Sequence, residues 1–101
     1  MRVSVKIPVV CEPEGGAAID GHAIDISLEG TRIESSEVPA FGTQLIIVAH
    51  MPGEPEAWRL PATVRWTAPG SFGVQFGSLD ARDTYRIADL MSRSVHSDRA
   101  R

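Results

Sequence analysis

Val3-Ser4-Val5-Lys6-Ile7-Pro8-Val9-Val10-Cys11 alternates in character, with Val3, Val5, Ile7, Val9 and Cys11 apolar at odd positions and Ser4, Lys6 and Pro8 between them. A period of two sends successive side chains to opposite faces of an extended chain, so this stretch is a half-buried strand. Pro8 has no N–H to give a ladder, which places the strand at a sheet edge or turns the proline away from its neighbour. Working outward, Glu12-Pro13-Glu14-Gly15-Gly16 breaks the alternation as a turn, and a second strand follows over about residues 17–26, bent at Gly21. Residues 31–34 make a third, with Thr31 and Ile33 on one face and Arg32 and Glu34 on the other. Residues 44–50 are continuous enough in Leu, Ile and Val to be covered on both sides. After a Pro- and Gly-punctuated loop over 51–56, residues 57–66 and 71–76 supply two more strands joined at Pro69-Gly70.

The period then changes. Thr84, Ile87, Ala88, Met91 and Val95 recur at helical spacing, with Arg82, Asp83, Arg86, Asp89 and Arg93 between them. Ser78 or Asp80 caps the start of this amphipathic helix, and Arg93 stands near the negative end of its dipole. Tyr85 and Leu90 fall partly off the apolar stripe and mark a candidate partner surface. Six short strands and one helix predict an all-β fold with a C-terminal helix: a small antiparallel barrel over residues 1–95, with a flexible tail at 96–101.

Composition narrows function. A chain of 101 residues has room for one core, and 43% hydrophobic with 23% charged residues is ordinary for a globular domain. A formal net charge of −3 argues against a broad DNA- or RNA-binding surface, which needs a basic footprint, but leaves room for a small anion held by a few arginines. The single cysteine, Cys11, cannot form an internal disulfide, which fits a reducing cytoplasm, and it continues an apolar face as a small hydrophobe. No stretch is long and apolar enough for membrane insertion. His22, His50 and His96 are scattered without zinc-ligand spacing, and no paired carboxylates or nucleophile–base pair is legible, so neither metal, cofactor nor enzyme chemistry is expected. Trp58 and Trp66 stand an even number of residues apart on one strand and are expected to share a face packed on the barrel or helix. Arg32, Arg59 and Arg65 alternate with apolar residues and point outward, either as an anion-attracting face or in cross-strand pairing with Glu34.

The most informative segment is Asp25-Ile26-Ser27-Leu28-Glu29-Gly30, at the junction of the second and third strands. Its Asp-x-Ser-x-x-Gly spacing, the preceding Arg2-Val3-Ser4-Val5-Lys6-Ile7-Pro8-Val9 and the hairpin over 66–76 resemble the PilZ domain family over about residues 2–95. The resemblance implies a six-stranded antiparallel barrel with a C-terminal helix, and a receptor for the bacterial messenger cyclic di-GMP. The family's signature also has an Arg-x-x-x-Arg stretch ahead of the first strand. Aligning residues 5–9 with that strand puts Arg2 on the second arginine, and the first would lie upstream of Met1.

The chemistry of such a signature is physical. A planar arginine fork satisfies guanine O6 and N7 together or pairs with phosphate, a carboxylate accepts from guanine N1–H and N2–H, and glycine lets backbone approach closely. The resemblance therefore implies that Arg2 clamps base or phosphate from the N-terminal segment, which folds over the ligand. Asp25 and Ser27 hold the guanine edge, and Gly30 completes the site. Asp25, Ser27 and Gly30 are also ordinary turn formers. The alternative is an adaptor that binds no nucleotide and recognises an unidentified protein partner.

Overall fold

The computed structural model describes residues 1–51 and 53–99, with side chains of the helix through Arg93. Six strands, β1 (Val3–Pro13), β2 (Ile19–Ile26), β3 (Gly30–Glu34), β4 (Gln44–Ala49), β5 (Trp58–Ala68) and β6 (Ser71–Phe76), precede one helix, α1 (Ala81–Arg99). All neighbours are antiparallel and the sheet closes in the order β1-β2-β3-β6-β5-β4. The barrel closes, but β4 pairs only with the second half of β1, so the residues before Val9 have a ladder on one side alone and Pro8 sits at a local edge, as expected. Pro8 faces His22 on β2 and lies one residue outside the β1–β4 ladder, whose pairing starts at Val9↔Ala49.

Alternation fills the interior. Val9, Cys11, Ile33, Ile47, Leu60, Val64 and Phe72 point inward to one cluster, which Ile87, Leu90 and Met91 of α1 cap. The helix covers the mouth where β6 ends and β1 and β5 begin: the Arg86 guanidinium carbon stands 5.7 Å from the Trp58 ring centroid. Asp80 caps the helix, its Oδ1 accepting the Asp83 N–H at 2.8 Å.

The buried stripe of α1 is rotated from the expected one. Thr84 and Ala88 are exposed, and Leu90, read as part of a partner surface, is 9% exposed within the core. Leucine removes far more apolar area from water than alanine or threonine does, so it takes the inward position. Tyr85, at 72% exposure, stays outside without it. The helix also runs past residue 95 to Arg99, because no Gly or Pro stops it; residues 100 and 101 of the expected tail lie outside the described residues.

Two irregularities reverse the alternation. On β2, Ile19 and Ala23 are buried at odd positions, but pairing steps from Ala23↔Ile33 to Asp25↔Arg32, and Ile26 is the next buried residue. Ile24 is thus one residue too many, and the bulge turns Asp25 outward. On β5, Trp58, Leu60, Ala62 and Val64 point inward, then pairing steps from Val64↔Val74 to Trp66↔Gly73. The two tryptophans therefore do not share a face: Trp58 is 2% exposed and Trp66 is 40% exposed.

Gly30 is demanded by packing rather than by φ. A Cβ there would run into the Val74 carbonyl oxygen on β6. Gly30→Ala is therefore expected to lower stability by about 1–3 kcal/mol or more in urea denaturation. Gly42→Ala, with φ +85 and nothing within 4 Å of a Cβ, meets only backbone strain of about 1 kcal/mol. Burial pushes the Cys11 thiol up to about 12 from its ordinary 9.0, so the native thiol stays neutral to high pH. An alkylating reagent at pH 9 should label Cys11 only as fast as the chain unfolds; rapid labelling of folded protein would contradict this burial.

Candidate functional site

The bulge at Ile24 delivers the Asp25 carboxylate to the outer wall, where it meets two guanidiniums. Asp25 Oδ1 accepts from Arg2 Nη1 at 2.6 Å and from the backbone N–H of Arg32 at 3.2 Å, while Arg32 Nε lies 3.5 Å from Oδ2. Both arginine side chains are about half exposed, whereas the carboxylate is mostly covered. The outward charge of the cluster is therefore positive on a chain of net charge −3.

Beneath this cluster lies the turn that joins β2 to β3. Ser27 is 5% exposed, and its Oγ accepts the N–H groups of Glu29 at 3.1 Å and Gly30 at 3.2 Å. The Ser27 N–H donates to the Gly30 carbonyl at 2.9 Å, and Thr31 Oγ1 donates to the Asp25 carbonyl at 2.5 Å. The Glu29 carbonyl accepts from Phe76 N–H at 2.8 Å, which locks the turn onto β6. Of the four residues singled out in the sequence, Arg2 and Asp25 thus meet at the surface, while Ser27 and Gly30 shape the turn that carries Asp25.

The wall continues across the barrel. Arg32 pairs in register with Gly73, and Gly73 with Trp66. A Cβ at Gly73 would collide with the Trp66 indole, so the ring lies flat over the glycine. Arg65 Nε donates to Gln75 Oε1 at 3.0 Å alongside. Arg2, Glu29, Gly30, Arg65, Trp66, Val74 and Gln75 border a shallow groove of about 200 Å³, room for one planar ring system rather than a whole dinucleotide.

Trp66 escaped the sequence reading because alternation predicts an inward side chain. The available signal was Gly73, an isolated glycine in a strand that marks a bulge or a close approach. Arg32, Arg59 and Arg65 all point outward as expected, but Glu34 is not their partner: Arg32 pairs with Asp25, Arg59 with Glu12 at 2.9 Å, and Arg65 with Gln75.

Two larger grooves, of about 450 and 390 Å³, open elsewhere on the barrel, the first along β1, β4 and β5 and the second along β1, β2 and the end of β3. They are lined by Glu12 and Glu14, and by Asp20, His22, Glu34 and His50, which gives them the wrong sign for phosphate. Among the described residues no three His, Cys, Asp or Glu side chains gather to hold a metal ion, and no helix is long and apolar enough to cross a membrane.

The fold recurs in solved structures. The PilZ domain of CeSA from a cellulose-synthesizing bacterium superposes with a TM-score of 0.74 at 20% identity, covering 90% of this chain and 94% of that one. The PilZ domain with c-di-GMP of YcgR from Escherichia coli gives 0.79 at 11% identity, covering 99% and 92%. Bacillus subtilis inhibitor of motility, MotI/DgrA, gives 0.70 at 17% identity, covering 99% of this chain and 50% of that one. At these identities the likeness is one of fold. No curated protein sequence matches the chain. The sequence profile of the PilZ domain does match, over residues 1–93, and with the Asp25–Gly30 turn held on a closed six-stranded barrel, the chain belongs to the PilZ domain family of cyclic di-GMP receptors.

Proposed function

We propose that this domain binds cyclic di-GMP on the wall that carries Arg2, Asp25 and Trp66, and that occupancy is signalled to a protein partner in the bacterial cytoplasm. One observation carries the reading. The carboxylate at the head of the Asp-x-Ser-x-x-Gly turn is turned outward, flanked by exposed guanidiniums, beside an indole that lies flat over a glycine.

Each part has a role in holding a guanine nucleotide. Asp25 accepts from guanine N1–H and N2–H, a charge-assisted pair that adenine cannot supply with the same pattern. Arg2 already stands at the carboxylate and turns its remaining donors to base or phosphate. Ser27 and Gly30 hold the turn rigid, so Asp25 is placed before the ligand arrives. The Trp66 ring offers a stacking surface, worth about 1–3 kcal/mol per base in nucleic-acid complexes.

A second reading, recognition of a protein without nucleotide, loses support on the helix face, since Leu90 is buried and Tyr85 stands without it.

Calorimetric titration with cyclic di-GMP should show saturable binding. Asp25→Ala should weaken it about tenfold or more, the loss of a charge-assisted hydrogen bond of about 1.5–3 kcal/mol. Absence of heat and of NMR shifts at millimolar ligand would refute the receptor reading. Binding should also quench tryptophan emission in the wild type and not in Trp66→Phe, because Trp58 is enclosed in the core. An unaltered quench in Trp66→Phe would remove the indole from the site.

A further inference from the structure

We infer that Arg32 is the second guanidinium of the ligand site. On binding it leaves the Asp25 carboxylate and pairs with a phosphate oxygen, which frees Asp25 for the guanine edge. This rests on the cyclic di-GMP reading above and adds a residue outside the turn to it.

Four observations converge on Arg32. First, the two guanidiniums at Asp25 are held unequally: Arg2 Nη1 at 2.6 Å, Arg32 only through Nε at 3.5 Å. A contact that long to a half-exposed guanidinium contributes little, so releasing Arg32 costs little. Second, the carboxylate does not need the Arg32 side chain to stay in place. The Arg32 backbone N–H holds Oδ1 at 3.2 Å, and Thr31 Oγ1 holds the Asp25 carbonyl at 2.5 Å. Third, the cross-strand neighbour of Arg32 is Gly73, whose outer face is covered by the Trp66 indole, so the Arg32 guanidinium and the ring are neighbours on one wall. Fourth, the groove itself is bordered by Arg2 and Arg65 against Glu29, Arg32 stands next to it between Asp25 and Gly73, and a ligand with two phosphates is best met by a cation for each. Arg65 is already engaged by Gln75, whereas Arg32 is half exposed and loosely held.

Placement on β3 also gives Arg32 a different character from Arg2. Its backbone is fixed by ladders on both sides, to β2 and to β6, so only the side chain must be ordered on binding. A phosphate caught there is fixed relative to both Asp25 and Trp66.

The experiment is a double-mutant cycle read by titration with cyclic di-GMP, using wild type, Arg32→Gln, Asp25→Asn and the double variant. Arg32→Gln should bind about 10- to 100-fold more weakly than wild type with an unchanged thermal midpoint. Arg32→Lys, which keeps the charge but not the planar fork, should fall between them. Arg59→Ala, at the Glu12 pair away from the site, should bind as wild type. The loss caused by Arg32→Gln should persist in the Asp25→Asn background, because Arg32 touches the ligand itself. If that loss vanishes there, Arg32 acts only by positioning Asp25 and the inference is overturned. Wild-type affinity in Arg32→Gln likewise overturns it, while the receptor reading stands. Failure of wild type to bind removes the receptor reading first and this inference with it.

Discussion

A sheet that closes on itself dictates which way each side chain points, because every strand must give alternate residues to one enclosed core. In this barrel a single supernumerary residue on one strand is the only cheap way to send an expected inward position outward. Ile24 does so on β2 and Arg65 on β5. The residues just past those bulges, Asp25 and Trp66, are the polar and aromatic ends of the candidate site. The rest of the wall, Arg32 and Gly73 between them, follows from ordinary antiparallel register.

The turn that carries Asp25 is fastened from below. Gly30 lets β3 approach β6 to a separation no larger residue tolerates, and the Glu29 carbonyl to Phe76 N–H bond secures it. Ser27 closes the turn internally through its hydroxyl. The carboxylate therefore stands on backbone tied into the barrel, while the guanidiniums around it are half-exposed ends of long side chains at the surface. Such a division suits an anion receptor: the hydrogen-bonding edge is preorganised, and the charges that meet phosphate adapt.

Charge is distributed to the same end. Acidic side chains line the two other grooves, Glu12 and Glu14 in one and Asp20 and Glu34 in the other, whereas Arg2, Arg32 and Arg65 stand on the wall of the candidate site. In a chain of net charge −3 such a distribution acts through contact pairs, since long-range attraction between exposed charges is screened over about 10 Å in salt.

Six strands, one helix and their order were legible in the sequence, since period two over Val3–Cys11 and helical spacing after residue 80 are local properties of the chain. So was the Asp-x-Ser-x-x-Gly turn, as a pattern. Which side of α1 faces inward was not, because Ala88 and Leu90 flank Ile87 and Met91 on opposite sides and helical spacing alone admits either; Leu90 wins once there is a barrel mouth in which its larger apolar area is buried. The site was half legible for the same kind of reason. Asp25 and Arg2 belong to a motif, but a bulge is a mismatch between two strands and has no signature within either one. The sequence by itself determined the elements and the Arg2 and Asp-x-Ser-x-x-Gly residues of the candidate site; tertiary structure alone decided that Arg32 and Trp66 share their wall, because cross-strand register, not spacing along the chain, sets which side chains become neighbours.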